Sequence, residues 1–572
     1  MMKYAWLPLS IVGIALWAVV GSSIHADAPK IVPPVAKDQP AKTAPVVAVA
    51  KPAAVPAKSG QPLAIDAAIA LDEPTVSSLA SSPCDDLTFL RRVHFDLVGG
   101  PPTVAEARAF LADKDSARRS SLIDRLLANP DHSWYWSQVL DAWWMERRPA
   151  KHVDAKLWRD YLRDSLAQGK GLDTLVKEML TADGTDEKTR PAARFVLDRE
   201  LDTHLVVRDI SRLFLGANLQ CAQCHDHPRI DNYKQAHYHG LLAYFQRTYL
   251  FDDPKLKKKV LAEKADGEVE FQSVFDPKKI TRKRAPGVPG GPERPDPVLA
   301  KDQLYISAPA KEVRGVPRHS RRSLLANDLT AGKALARNLA NRFWAQLLGK
   351  GVVYPLDQIH EDNPPSHPAL LDSLTDTLLQ ARYDHKALLR VICNSAAYQR
   401  GGEARAGQPK NAEDRLLIAR LRPLSPEQMG HALLFATGQV EAERKALGAK
   451  ATPEALWPRV EAQASPFIAV LAAQPGNPDQ FEARLEQALF LANHSHLQQF
   501  LPPRPGNLME RLLAEKDPAK AADELYLAVF TRLSSADEKA EMARALQEKD
   551  KQTALRDLLW ALLGSAEFRF IG

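Results

Sequence analysis

The chain has 572 residues, 45% hydrophobic and 26% charged, which is the composition of a globular protein long enough for two or more domains. Its net charge of +6 is small against 76 basic and 70 acidic side chains. Without a concentrated basic face, nucleic acid is excluded as the expected partner.

The N-terminus reads "MMKYAWLPLSIVGIALWAVVGSSIHADAPK", with Lys3 before an apolar stretch from Ala5 to Val20. This layout predicts a secretory signal peptide over 1–26, or an uncleaved membrane anchor. Either places the bulk of the chain in the periplasm or cell envelope, with the N-terminus as its one membrane tether, since no later stretch is apolar enough to span. Residues 27–63 are rich in Pro, Ala and Lys without an apolar face, and predict a semi-rigid tether. In an exported protein thiols tend to be paired or ligated. Cys84 and Cys393, far apart in sequence, read either as a long-range disulfide or as two buried thiols.

Residues 64–251 predict a helical module. Thr103 stands three residues before Glu106, a capping-box signature. "SARRSSLIDRLLANP" has helical spacing and stops at Asn129-Pro130. "HSWYWSQVLDAWWMERR" carries Trp134, Trp136, Trp143 and Trp144 and predicts a helix buried on one broad side; an aromatic wall against a cofactor is the competing reading. The apolar stripe of "HLVVRDISRLFLGANLQ" delivers the chain into Cys221.

There the sequence reads Cys221-Ala222-Gln223-Cys224-His225. With four Cys and 16 His in the chain, a C-x-x-C-H run arises by chance in roughly one chain in a thousand of this composition. The spacing suits covalent haem c: two thioethers from Cys221 and Cys224, and His225 as the proximal iron ligand. A metal site is the first competitor. Cys221, Cys224, His225 and His227, with His237 and His239 shortly downstream, offer donors suited to zinc or another divalent ion. A local disulfide is the second. Candidates for a sixth iron ligand are His237, His239, Met145 and Met179. His237 and His239 lie at i and i+2 of the helical "QAHYHGLLAYF", on different faces, so at most one would ligate.

Residues 252–320 change character. The charged "DDPKLKKKVLAEKADG" and the basic, Pro- and Gly-rich "KKITRKRAPGVPGGPERPDP" predict a solvated linker, with a patch for an anionic partner as the competing reading. "EVEFQSVF" and "QLYIS" alternate as short strands. Residues 321–572 predict a second helical module. Gly349 stops one helix, a break near Tyr383-Asp384 separates two more, and "DNPPSHP" is a turn into an N-capped helix around Ser366. The expected fold is mainly α: two helical modules joined by a Pro/Gly-rich, partly β linker. No G-x-S-x-G, P-loop or H-E-x-x-H run is present.

The stretches "LRRVHFDLVGGPPT", "LIDRLLANPDHSWYWSQVLDAWW", "FLGANLQCAQCHDHP" and "YHGLLAYF", followed by "ARNLANRFWAQLLGKGVV", "DNPPSHPALLDSL" and "DHKALLRVICNSAAYQ", resemble the planctomycete-type cytochrome-like (PSCyt-like) family, with its paired domains of unknown function. The resemblance runs from about Asp85 to the C-terminus. It implies export, mostly helical modules and haem attachment at Cys221, Cys224 and His225. The family commonly continues its motif with an aromatic and an acid, where this chain has Arg229, Ile230 and Asp231. His237 and His239 stand where an acid and an aromatic are more usual.

The leading functional expectation is an exported cytochrome c-like protein that carries electrons or senses redox state and meets a redox partner protein. The alternatives are a cell-envelope interaction protein whose Cys/His cluster holds zinc or a disulfide, and a metal-dependent hydrolase-like enzyme.

Overall fold

The computed structural model describes residues 64–472 and 495–572, with 486, 487, 489 and 490 between them. The signal or anchor over 1–26 and the tether over 27–63 lie outside the described residues. Helices dominate, and the named strands form only two-stranded antiparallel pairs. The protein is mainly α, as its periodicities predict. No described helix is long and apolar enough to cross a membrane.

Local signals act where the sequence places them. Thr103 and Glu106 close the capping box that starts the Val104–Ala112 helix. Arg118–Ala128 ends before Asn129, whose side chain accepts from the Asp131 N–H to cap Pro130–Met145. That tryptophan-bearing helix is buried along most of its length. Its Trp136 ring stacks on Phe343 at a centroid distance of 5.0 Å, and Trp143 meets the same ring edge-on at 5.2 Å. Trp136 and Trp143 therefore form core between the two halves of the chain, Trp134 and Trp144 are buried on the same helix, and the cofactor-wall reading gives way to packing.

Other contacts tie the halves together. Asp96, fully buried, accepts from both Arg422 Nη atoms and from the Tyr398 hydroxyl. Arg422–Pro423 pairs with Phe570–Ile571 at the C-terminus. The Lys333–Leu348 helix starts after Gly332 breaks it from Arg321–Ala331, and it ends at Gly349 with φ 83°. A Cβ at Gly349 would stand 2.7 Å from Arg422 Cγ, so both conformation and space require glycine.

Two expectations need correction. The Pro368–Gln380 helix gets no side-chain cap from its N-cap residue. Asp72, on the Ile65–Asp72 helix, accepts from the N–H groups of Ala369 (3.2 Å) and Leu370 (3.1 Å) instead. Ser366 donates to the Val352 carbonyl. The 252–320 segment is also not uniformly solvated. Lys258–Glu263 pairs with Thr248–Asp253 and buries Val260, Leu261 and Ala262. Val269–Phe271 pairs with Arg282–Arg284, and Tyr305–Ser307 with Val316–Pro317, so the two predicted strands form in shortened versions. Arg321 is 2% exposed, held by Asp296 (2.7 Å), Glu268 (3.2 Å) and the Ala243 carbonyl (3.1 Å). A guanidinium is buried stably only when its donors are met in this way.

Candidate functional site

The motif is positioned from the helix before it. Thr203–Leu215 ends on Gly216, whose φ of 66° turns the chain sharply. A Cβ at Gly216 would lie 2.5 Å from Ile359 Cδ1. With that space free, the Ile359 N–H donates to the Gly216 carbonyl (2.8 Å) and the Asn218 N–H to the Asp357 carbonyl (2.9 Å). The chain entering the motif is thus clasped by residues 357–359.

Cys221–Gln223 then forms a single 3-10 turn, closed by the Cys224 N–H on the Cys221 carbonyl at 3.4 Å. Ala222 is fully buried and pins the turn, while Cys221 and Cys224 are exposed and free. The half-buried His225 places Nδ1 2.6 Å from the Asp226 carbonyl oxygen. A carbonyl only accepts, so Nδ1 is the donor in this contact. Among the described residues Nε2 makes no hydrogen bond.

Five contacts hold this turn in place. Asp226 Oδ1 accepts from the Gln235 N–H at 2.8 Å and so caps the Gln235–Phe245 helix. The Gln223 carbonyl, between the two thiols, accepts from His239 Nε2 (3.2 Å) and from Gln235 Nε2 (3.4 Å). The Val274 N–H donates to the Cys224 carbonyl (3.1 Å), and the Phe275 ring lies 4.8 Å from that of His225.

The remaining histidines are engaged separately. His227 Nδ1 accepts from the N–H groups of Arg229 (3.2 Å) and Ile230 (3.0 Å), shaping the following turn. Burial, with His360, His225 and Arg229 nearby, lowers its pKa. His237 Nδ1 donates to the Asn232 carbonyl at 2.9 Å. His239 is buried and stacks on Phe271 at 4.3 Å with the planes 5° apart. Burial lowers its pKa to about 4, so it is a neutral donor at ordinary pH. Among the described residues no group of three or more His, Cys, Asp or Glu side chains could hold a metal ion. Cys221, Cys224, His227, His237 and His239 are therefore not brought together as the alternative cluster, and His239 braces the turn through Nε2.

All four cysteines are free. Cys84 and Cys393 are buried thiols, the second of the two readings, and burial raises the pKa of both. Met145 and Met179 are buried within Pro130–Met145 and Leu172–Thr181. Nothing in the sequence marks His239 and Gln235 as braces, because their partner is a backbone carbonyl that carries no sequence signal.

A cleft of about 600 Å³ lies elsewhere, lined by Gln138, Asp141, Arg147, Arg194, Glu427 and Glu461 among others. Its charges are largely matched: Arg147 pairs with Glu427 at 2.6 Å, and Arg194 with Asp198 at 3.0 Å. The motif turn, with two accessible thiols and an unengaged ring nitrogen, is the chemically distinctive site.

Comparison with known proteins gives two matches. Residues 64–249, which include the motif, match PSCyt2, described as a protein of unknown function (DUF1549). Residues 321–465 match PSD1, likewise described as a protein of unknown function (DUF1553). No curated protein and no solved structure matches the chain. The chain thus carries, in order, regions similar to PSCyt2 and PSD1, paired domains of unknown function.

Proposed function

We propose that this protein is an exported, c-type-cytochrome-like electron carrier with one haem attached through Cys221 and Cys224 and His225 as the proximal ligand. The observation that carries the reading is the state of His225. Its Nδ1–H is spent on the Asp226 carbonyl, which leaves Nε2 as the ring nitrogen that could take iron, beside two accessible thiols. Cys221 and Cys224 would hold the group as thioethers, each S–H adding across a vinyl double bond to give one C–S and one C–H bond, which would need no oxidant or reductant. Bound there, haem supplies a one-electron iron couple. The chain's own residues hold the geometry: Asp226 orients the imidazole through its carbonyl and caps the next helix through its carboxylate. His239 and Gln235 fix the carbonyl between the thiols. The name PSCyt2 on the matched region is in keeping with this reading, as is the signal-like N-terminus, which would direct the protein to the periplasm or cell envelope.

The test is expression of the full chain with haem-maturation machinery, followed by a visible spectrum, a pyridine haemochrome assay and metal analysis. A pigmented protein with haem c supports the reading. A colourless protein carrying stoichiometric zinc rejects it.

A further inference from the structure

Three large apolar side chains stand in solvent on one short hairpin loop beside the motif: Val274 (65% exposed), Phe275 (74%) and Ile280 (50%). The loop joins the paired strands Val269–Phe271 and Arg282–Arg284. It is fixed to the motif by the Val274 N–H on the Cys224 carbonyl, by Gln235 Nε2 on the Gln272 carbonyl (3.0 Å), and by Phe275 against His225. Exposed apolar groups held this firmly are not the residue of a loose loop. Exposed apolar side chains gathered on one loop with a polar rim are the anatomy of an interaction surface.

The rim has a sign. Residues 269–284 carry five cations, Lys278, Lys279, Arg282, Lys283 and Arg284, against the acids Glu270 and Asp276. Arg282 pairs with Asp276 and Lys283 with Glu270, both at 3.3 Å, and Arg284 pairs with Glu293 from outside the hairpin. Lys278 and Lys279, at the exposed tip, make no ion pair among the described residues, nor does the exposed Arg229 on the motif loop. Unpaired cations around an apolar centre attract and orient an acidic surface, and they do so in a salt-dependent way.

We propose that the 269–284 hairpin is the docking surface for an acidic electron-transfer protein, with Val274, Phe275 and Ile280 as its apolar centre and Lys278, Lys279 and Arg229 as its steering rim. The inference rests on the electron-carrier reading and names where the partner sits. Electron transfer falls off steeply with distance, so a partner must approach the cofactor closely. This hairpin touches the motif at both Cys224 and His225. One hairpin offers a small contact, in keeping with the small, transient interfaces of redox encounters.

The experiment uses the full-length, haem-loaded protein with ferricyanide, an anionic oxidant, and hexaammineruthenium(III), a cationic one, as probes of the field at the hairpin. Oxidation by ferricyanide is expected to slow as salt rises, and oxidation by hexaammineruthenium to quicken. Charge reversal of both tip lysines (Lys278→Glu with Lys279→Glu) is expected to slow ferricyanide at low salt by about fivefold or more and to reverse the salt trend. The same charge change outside the hairpin (Lys516→Glu with Lys520→Glu) is expected to leave it within about twofold, since the field that steers a probe to the hairpin is set most strongly by the charges on it. Haem content and visible spectrum are read on every variant. A pigmented protein whose two lysine pairs behave alike overturns the docking surface and leaves the electron-carrier reading standing. An unpigmented wild type overturns both.

Discussion

His239 donates its Nε2–H to the carbonyl of Gln223 across 3.2 Å, so a buried, neutral histidine on the helix after the motif holds the turn between the two cysteines. The turn is preorganised before any cofactor arrives. Its order depends on side chains outside the C-x-x-C-H run.

Replacing His239 by Ala removes that donor and the stack on Phe271, leaving Gln235 as the remaining side-chain donor to Gln223. The expected cost is about 1–3 kcal/mol in chemical unfolding, from one hydrogen bond and one ring contact. Amide exchange over residues 221–226 should rise by more than the global change. Unchanged protection there would contradict a bracing role.

Asp226→Ala should cost about 1 kcal/mol, since it removes the carboxylate that caps Gln235–Phe245. It should also speed reaction of the thiols with a maleimide in the unloaded protein, because one of the turn's tethers is gone. Asp226→Asn, which keeps the capping oxygen, should restore most of both properties.

The two halves of the chain share a core, and Asp96 with Arg422 is a buried ion pair between them. Asp96→Ala should destabilise by about 3–5 kcal/mol, because Arg422 stays buried without its carboxylate. Phe343→Ala, which leaves Trp136 and Trp143 facing a cavity, should cost a similar 3–5 kcal/mol. Both should lower a single unfolding transition. Loss of only one of two separate transitions would contradict the shared core.

Several histidines are buried neutral. Burial lowers the pKa of His239 and His431 to about 4 and of His385 to about 3, and that of His132 falls well below its ordinary value through burial beside His385 and Lys386. In the unfolded chain they titrate near 6.5. The unfolded state therefore binds more protons between pH 6.5 and about 4, and stability falls as pH drops through that window. Each histidine contributes a slope of up to about 1.4 kcal/mol per pH unit. Urea midpoints at pH 7.5, 6 and 5 check this, and a flat profile would contradict it.

Much of this architecture is legible locally. Thr103 with Glu106, Asn129 with Pro130, and the helix-ending turn at Gly349 act through neighbours a few residues away, so the sequence states them directly. The four-tryptophan helix is readable as buried, but its partner Phe343 is not, because nothing local names a ring two hundred residues on. Asp72 capping the Pro368–Gln380 helix is hidden for the same reason. Charge misleads in the 252–320 segment: Lys258–Glu263 looks solvated, yet its apolar half is covered, and Arg321 looks like surface until Asp296 and Glu268 are found beside it. At the site, the cysteines and His225 are legible from spacing, whereas the roles of His239, Gln235 and Phe275 exist only once the chain has folded.

The most direct measurement is the intact mass, under denaturing conditions, of the protein made with haem-maturation machinery. A covalent cofactor held by two sulfurs gives the chain plus one haem, and the increment disappears in the Cys221→Ala, Cys224→Ala double variant. A wild-type mass equal to the bare chain, or short of it by the two hydrogens of a Cys221–Cys224 disulfide, would contradict haem attachment and the electron-carrier account with it.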